Sequence, residues 1–100
     1  MIIIYTTFSD KKSAKLTTRK ILEQKLASCV QIFPIESAYW WKGKIEEAAE
    51  TAVFIKTKKS LQKRVTDFIS KNHPYEVPEI VSITPADVNK PYFDWIEDSV

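Results

Sequence analysis

The sequence predicts a single α+β domain over residues 1–100, a ferredoxin-like βαββαβ sandwich with an added C-terminal helix. Three observations support this prediction. Segments with the two-residue period of strands alternate with two segments of helical period. The only glycine follows a long strand and marks a hairpin, and a chain of 100 residues is large enough for one core.

The first strand and the first helix are predicted in the opening third of the chain. Ile2 to Phe8 is a continuous β-branched and aromatic run, as expected for a central strand that is covered on at least one face. Ser9 and Asp10 carry side-chain oxygens that can cap a helix. The helix that follows has one stripe of residues suited to burial: Ala14, Thr18, Ile21, Leu22 and Leu26.

A long hairpin is predicted in the middle of the chain. Ser28 to Ile35 alternates as a strand does and continues to Trp41, and the return strand runs from about Ile45 to Thr57. Gly43 lies between them and can take the positive φ that a tight hairpin requires. Typical strands have only about 5 to 6 residues, so we expect the distal part of this hairpin to project or to pair with another chain.

The last third of the chain predicts a helix, a strand and a final helix. The helix over Ser60 to Lys71 has apolar residues at i, i+4, i+7 and i+8, and Pro74 ends it because proline cannot continue the hydrogen-bond ladder. Residues 79 to 84 alternate as a fourth strand. Asp87 or Asn89 can cap the final helix, with Pro91 in its first turn.

This order of elements leaves one face of the sheet without helices, because both internal helices pack on the other face. Uncovered apolar sheet faces and long strand edges promote aggregation unless something covers them. An identical neighbour is the simplest cover, so we expect a homo-oligomer.

Charge and cysteine content narrow the function classes. The formal net charge is +2, but residues 10–35 carry six basic and two acidic side chains and residues 51–71 carry six and one. Both blocks coincide with predicted helices, which indicates solvated helix faces rather than a nucleic-acid interface.

The single cysteine cannot form an intramolecular disulfide, and neither a signal peptide nor a membrane-spanning run is visible. We expect a cytoplasmic protein that binds no nucleic acid and no membrane.

Residues for enzymatic chemistry are scarce. A single glycine cannot supply a phosphate-binding loop or a nucleophile elbow. Acylphosphatase-like enzymes share the βαββαβ order but need a glycine-rich loop where this chain has Thr6 to Asp10. RNA-recognition domains need an aromatic-rich third strand, whereas Thr51 to Thr57 contains one aromatic residue. We therefore predict that the chain is not an enzyme.

His73 and Cys29 are the candidate metal ligands. An imidazole between a helix end and Pro74 most often packs or interacts with the helix dipole, but imidazole also binds copper and zinc. A metal site needs three or four ligands, so the others would come from Cys29, from carboxylates such as Glu76 and Glu79, or from other subunits. Cys29 is more simply interpreted as a small buried apolar residue.

Three consecutive aromatic residues, Tyr39, Trp40 and Trp41, alternate across the hairpin strand. We expect one side of this strand to pack on the domain and the other on a partner subunit, because aromatic residues anchor interfaces. The alternative is a stacking pocket for a small planar ligand. Lys56 and Glu50 are interpreted either as a structural ion pair or as the polar groups of such a pocket.

Five segments in fixed order resemble the CutA divalent-cation tolerance family over essentially the whole chain. They are Lys25 to Val30, Tyr39 to Glu46, Lys56-Thr57, His73 to Glu79 and Tyr92 to Ile96. The resemblance implies a ferredoxin-like subunit in a compact homotrimer, with the long hairpin strands pairing between subunits. It also implies a role in tolerance of copper and other divalent cations, and a cytoplasmic location.

The resemblance to the family also concerns the candidate metal ligands. His73 matches the histidine that precedes Pro-Tyr in the family, while Asn72 stands where some members have a second histidine. Some copper-binding members have a cysteine in the first strand, where this chain has Tyr5 or its neighbours. Cys29 is a position typical of the family. Because Asn72 and the first strand lack these two ligands, we predict weak or moderate copper binding through His73.

Some members resemble signalling trimers of the PII type, which bind effectors between subunits. That likeness suggests an alternative function, in which the chain binds a small effector or a protein partner. The predicted site is an intersubunit cleft lined by Tyr39, Trp41, Lys56 and Tyr75.

Overall fold

A computed structural model describes all 100 residues of the chain. The elements follow the predicted βαββαβα order. The strands are β1 (Ile2–Phe8), β2 (Cys29–Trp41), β3 (Lys44–Thr57) and β4 (Ile80–Ile83), and the helices are α1 (Lys11–Glu23), α2 (Gln62–Asn72) and α3 (Lys90–Ser99). A short 3₁₀ turn, Lys59–Leu61, leads into α2. None of the three helices is long and apolar enough to cross a membrane.

The four strands form one antiparallel sheet in the order β2-β3-β1-β4. β1 is central, as its apolar composition predicts, and β2 and β4 are the edges. The predicted ferredoxin-like arrangement is confirmed.

The β2–β3 hairpin is far longer than the rest of the sheet. Its strands pair from Cys29 opposite Lys56 to Trp41 opposite Lys44, whereas β1 reaches only as far as Thr51 on β3. The residues between Pro34 and Thr51 therefore extend beyond the sheet, and the molecule measures 45 × 27 × 21 Å. The predicted projection of the hairpin is confirmed.

The two residues of the hairpin loop have positive φ angles, 50° at Lys42 and 78° at Gly43. This combination is typical of the two-residue loops that match the twist of the flanking strands. The prediction for Gly43 is confirmed.

Helix α1 has a defined signal at each end. At the start, the Asp10 carboxylate accepts a hydrogen bond of 2.7 Å from the Ser13 amide, and this bond lowers the pKa of Asp10. At the end, Lys25 has a φ of 58°, while the Leu26 amide donates to the Ile21 carbonyl. This is a Schellman motif with lysine in the position where glycine is usual.

The core lies between the helices and one face of the sheet. Alternate residues of β1, namely Ile2, Ile4, Thr6 and Phe8, point into it and are almost completely buried. The matching positions of β3 include Val53 and Ile55, and the helices contribute residues such as Ile21, Val65 and Ile69. Burial of these apolar side chains is the main favourable term in folding.

The opposite face of the sheet, here called the open face, carries Ile3, Tyr5, Thr7, Cys29, Phe33, Glu50, Phe54, Lys56, Val81 and Ile83. Helix α3 reaches one end of it, where Tyr92 contacts Lys56 and the Ile96 carbonyl accepts a hydrogen bond from Ser28. Elsewhere the aromatic rings of Tyr5, Phe33 and Phe54 pack on one another without a covering helix. The predicted uncovered face is present over the part that α3 does not reach.

Candidate functional site

His73 lies just beyond α2, and both of its ring nitrogens have partners within the chain. Nε2 is 2.6 Å from the carbonyl oxygen of Thr7 in β1, and Nδ1 accepts a hydrogen bond of 3.0 Å from the Tyr75 amide. The ring also stacks on Phe8, with the ring centroids 4.5 Å apart. His73 therefore fastens the segment after α2 to the end of β1.

These partners determine the tautomer of His73. A carbonyl oxygen can only accept, so Nε2 carries the proton, and an amide N–H can only donate, so Nδ1 is unprotonated. Burial lowers the pKa of His73, and the hydrogen bond to Thr7 opposes this effect. A second proton on Nδ1 would face the Tyr75 amide donor, which also favours the neutral ring.

Tyr75 continues the connection to the open face. Its hydroxyl donates a hydrogen bond of 2.8 Å to Oε2 of Glu50 in β3. Burial and the Glu50 carboxylate raise the pKa of Tyr75 to about 12, so the phenol stays protonated. Burial and the nearby carboxylates of Glu79 and Glu50 also raise the pKa of Tyr5. The site is thus a chain of contacts from the Thr7 carbonyl to Glu50, here called the His73 clamp.

Cys29 and Lys56 lie away from the clamp. They face each other across β2 and β3, and Lys56 is six residues beyond Glu50 in β3. That separation is about 20 Å at the usual strand rise of about 3.4 Å per residue. The Lys56–Glu50 ion pair considered above does not form within the chain, because Lys56 Nζ instead donates a 3.2 Å hydrogen bond to the Tyr92 hydroxyl.

The exposure of the three hairpin aromatics corrects one expectation. Tyr39, Trp40 and Trp41 are 45%, 73% and 57% exposed, so neither side of this strand packs on its own domain. The reason is the length of β2, which carries these residues past the end of β1. Lys42 contributes a cation–π contact, with its Nζ 5.8 Å from the centre of the Trp41 ring. Packing of one side against a partner subunit stays a prediction.

The predicted cleft residues do not all meet within one chain. Tyr75 binds Glu50 in β3, whereas Lys56 is at the other end of the sheet beside Tyr92. A cleft that combines Tyr39, Trp41, Lys56 and Tyr75 would need more than one subunit, and it stays a prediction.

A metal centre does not fit the residues of a single chain. No group of three His, Cys, Asp or Glu side chains is arranged to hold an ion. The one lone pair of the neutral His73 ring, on Nδ1, already accepts the Tyr75 amide. A cation bound at this nitrogen would have to break that hydrogen bond and recruit its other ligands elsewhere.

Sequence reasoning missed the partners of His73 in the clamp. The Thr7 carbonyl is 66 residues away along the chain, and a backbone carbonyl has no signature in the sequence. Phe8 ends the predicted central strand, but its stacking on His73 depends on how the segment after α2 folds back over β1. The sequence near His73 indicates the end of α2 and a candidate metal ligand, but neither of these partners.

Comparison with known proteins agrees with this structure along nearly the whole chain. The family model described as CutA1 divalent ion tolerance protein matches residues 2–99. A divalent-cation tolerance protein CutA from Pyrococcus horikoshii is 40% identical over 96 residues, covering 96% of this chain and 94% of that protein. Protein CutA 1, chloroplastic, from rice is 39% identical over 99 residues, covering 98% of this chain but only 56% of the rice protein. The chain thus spans about half the length of some relatives and nearly all of others.

Solved structures give the same result. The crystal structure of CutA1 from Pyrococcus horikoshii superposes with a TM-score of 0.93 at 37% identity, covering 99% of this chain and 97% of that one. The periplasmic divalent cation tolerance protein CutA from Archaeoglobus fulgidus superposes with a TM-score of 0.93 at 39% identity, covering 99% and 98%. With the family match over residues 2–99, these similarities show that the chain belongs to the CutA1 divalent ion tolerance family.

Proposed function

We propose that the protein serves divalent-cation tolerance as a non-enzymatic homotrimer whose subunits associate through the open face and the projecting hairpin. The observation that carries this proposal is the amount of apolar surface left exposed on these two regions. The exposed residues are Tyr39, Trp40, Trp41, Ile45, Val81 and Ile83. Large apolar side chains left exposed on these two regions are the kind of surface that marks interaction sites.

The geometry supports association of identical chains in a closed ring. The hairpin and the sheet are different surfaces of the same subunit, so a hairpin that packs on the next subunit makes a head-to-tail contact. Head-to-tail contacts close into rings when the rotation permits. Three subunits is the number that the family resemblance implies.

Sedimentation equilibrium tests the assembly. The expected mass is three times the 11.6 kDa of the chain. A variant that lacks the tip from Trp41 to Lys44 should dissociate, because it loses the turn of the hairpin and the exposed Trp41 ring. A wild-type mass equal to one chain would refute the trimer, and an unchanged mass of the shortened variant would contradict assembly through the hairpin.

We also propose that tolerance involves direct copper binding in which His73 is a ligand and other subunits supply the rest. The support is chemical: His73 is the only imidazole in the chain, and imidazole binds copper(II) well. Cys29 is a weaker candidate because it lies beside Lys56, away from His73. The cost of binding is the Nδ1 hydrogen bond to the Tyr75 amide, which predicts moderate rather than tight affinity.

Copper(II) titration calorimetry of the metal-free trimer tests the metal proposal, with Asn72→Ala as the matched control for His73→Ala. Because His73→Ala also removes the clamp, the spectroscopic signature is the sharper readout. Electron paramagnetic resonance of the copper-loaded protein should show nitrogen coupling from one imidazole, which only His73 can supply. Stoichiometric binding without that coupling, or the absence of binding, would refute the role of His73 as a ligand.

The cytoplasm is the compartment we propose. The support is the single cysteine, which gives the chain no intramolecular disulfide for an oxidising compartment. Fractionation of cells that express the protein tests this, and recovery from another compartment would refute it.

A further inference from the structure

The side of α1 that faces the sheet edge β2 borders an open groove of about 810 Å³. Its floor is aliphatic and includes Leu16, Leu22, Val30 and Ile32. Leu16 is 59% exposed although it lies within a helix of the core layer. The groove is separate from the open face and from the His73 clamp, because it lies on the helix side of the sheet.

The rim of the groove is strongly basic. Lys11, Lys12, Lys15 and Arg19 lie along it. Lys12, Lys15 and Arg19 follow Lys11 by one, four and eight residues, which places all four on one face of the helix. Only Arg19 has an ion-pair partner in the chain, Glu23 at 4.0 Å, and the three lysines have none. A row of unpaired lysines beside an apolar floor attracts a ligand that is acidic and apolar together.

We propose that this groove is a docking surface for an acidic segment of another protein, whose carboxylates pair with Lys12 and Lys15 and whose aliphatic or aromatic side chains contact Leu16. The apolar floor would supply affinity, and the lysines would supply selection for negative charge. This partner surface adds to the role in cation tolerance and does not depend on it.

Other occupants fit the groove less well. A single-stranded nucleic acid needs aromatic side chains on which bases stack, and the floor has none. The helix layer of a second copy is itself basic, with Arg64 and Lys71 on α2, so contact between two helix layers would bring like charges together. The hairpin of a second copy is the competing occupant, because it carries four glutamates against two lysines between residues 36 and 50. The experiment must distinguish it.

The test uses the assembled protein and a fluorescein-labelled peptide in which Asp and Leu residues are interspersed with Ser. Fluorescence anisotropy should show saturable binding that weakens with added salt. The double variant Lys12→Glu, Lys15→Glu should weaken binding by about tenfold or more, since like charges then face the peptide. The matched control Lys71→Glu, on α2, should leave peptide binding nearly unchanged. An excess of an unlabelled peptide with Lys in place of Asp should not displace the labelled peptide from the wild-type protein.

A second variant separates docking of a partner from contact between subunits. Leu16→Asp should abolish peptide binding while the sedimentation mass stays that of wild type. If Leu16→Asp dissociates the assembly, the groove is a contact between copies and the proposal is wrong. Absence of peptide binding to wild type, or equal loss in the Lys71→Glu control, would also overturn it.

Discussion

Replacing His73 by alanine should destabilise the protein in the absence of any metal. The change removes the hydrogen bonds to the Thr7 carbonyl and from the Tyr75 amide, each worth about 1 kcal/mol. It also removes the ring that stacks on Phe8, for which aromatic pairs suggest about 0.5–1.5 kcal/mol. The expected loss in the free energy of unfolding is therefore about 2–4 kcal/mol.

The same residue should make stability depend on pH. Burial holds the folded pKa of His73 below its ordinary value of 6.5, so near and below that pH the unfolded chain binds more protons than the folded one. Stability then rises with pH through this window: the contribution is complete well above pH 6.5 and is lost as pH falls towards the folded pKa. His73 is the only histidine, so His73→Ala should flatten the slope between about pH 5 and 7.

Urea unfolding followed by tryptophan fluorescence measures both effects, at one protein concentration because oligomers unfold in a concentration-dependent way. Asn72→Ala is the matched control. The Asn72 side chain is exposed and makes one hydrogen bond, to the Phe68 carbonyl. The Asn72→Ala variant should therefore lose no more than about 1 kcal/mol in the free energy of unfolding. If His73→Ala lowers the free energy of unfolding by less than about 0.5 kcal/mol and leaves its dependence on pH unchanged, the clamp does not stabilise the fold.

Three further predictions concern other parts of the chain. Tyr75→Phe should cost about 1–3 kcal/mol in urea unfolding, because it leaves the part-buried Glu50 carboxylate without its donor; in wild type, ultraviolet titration should find one phenol that ionises only near pH 12. Lys25→Gly should raise the thermal midpoint by removing a strained φ of 58°, for a gain of about 1 kcal/mol, and a lower midpoint would contradict the Schellman assignment. Gly43→Ala should cost about 1 kcal/mol from its φ of 78° alone, since an added Cβ meets no atom within 4 Å, and an unchanged midpoint would contradict strain at this loop.

Local patterns predicted the elements well. The cap at Asp10, the glycine of the hairpin loop and the end of α2 before Pro74 all lie where the sequence indicates. Each depends on interactions within a few residues, so the sequence contains the whole signal. Asn89 is the N-terminal flank of α3 as expected, although its side chain makes no capping hydrogen bond.

Contacts across the chain were much harder to predict. The sequence suggests Glu50 as a partner of Lys56 because the two residues are near each other along the chain. Extended backbone separates them, however, and α3 brings Tyr92 to Lys56 instead. The buried threonines are a second example: Thr57 donates to the Leu26 carbonyl within the core, and nothing in the alternation of β3 indicates that partner.

The sequence by itself determined the order of the elements, the projecting hairpin and the uncovered sheet face, because periodicity, turn residues and strand length act locally. Only the tertiary structure decided the role of His73. Its neutral tautomer and its partners follow from the approach of the segment after α2 to the end of β1, 66 residues away in sequence. Which nitrogen of an imidazole is free is a property of the packed fold, since the proton goes wherever the neighbouring donors and acceptors require it.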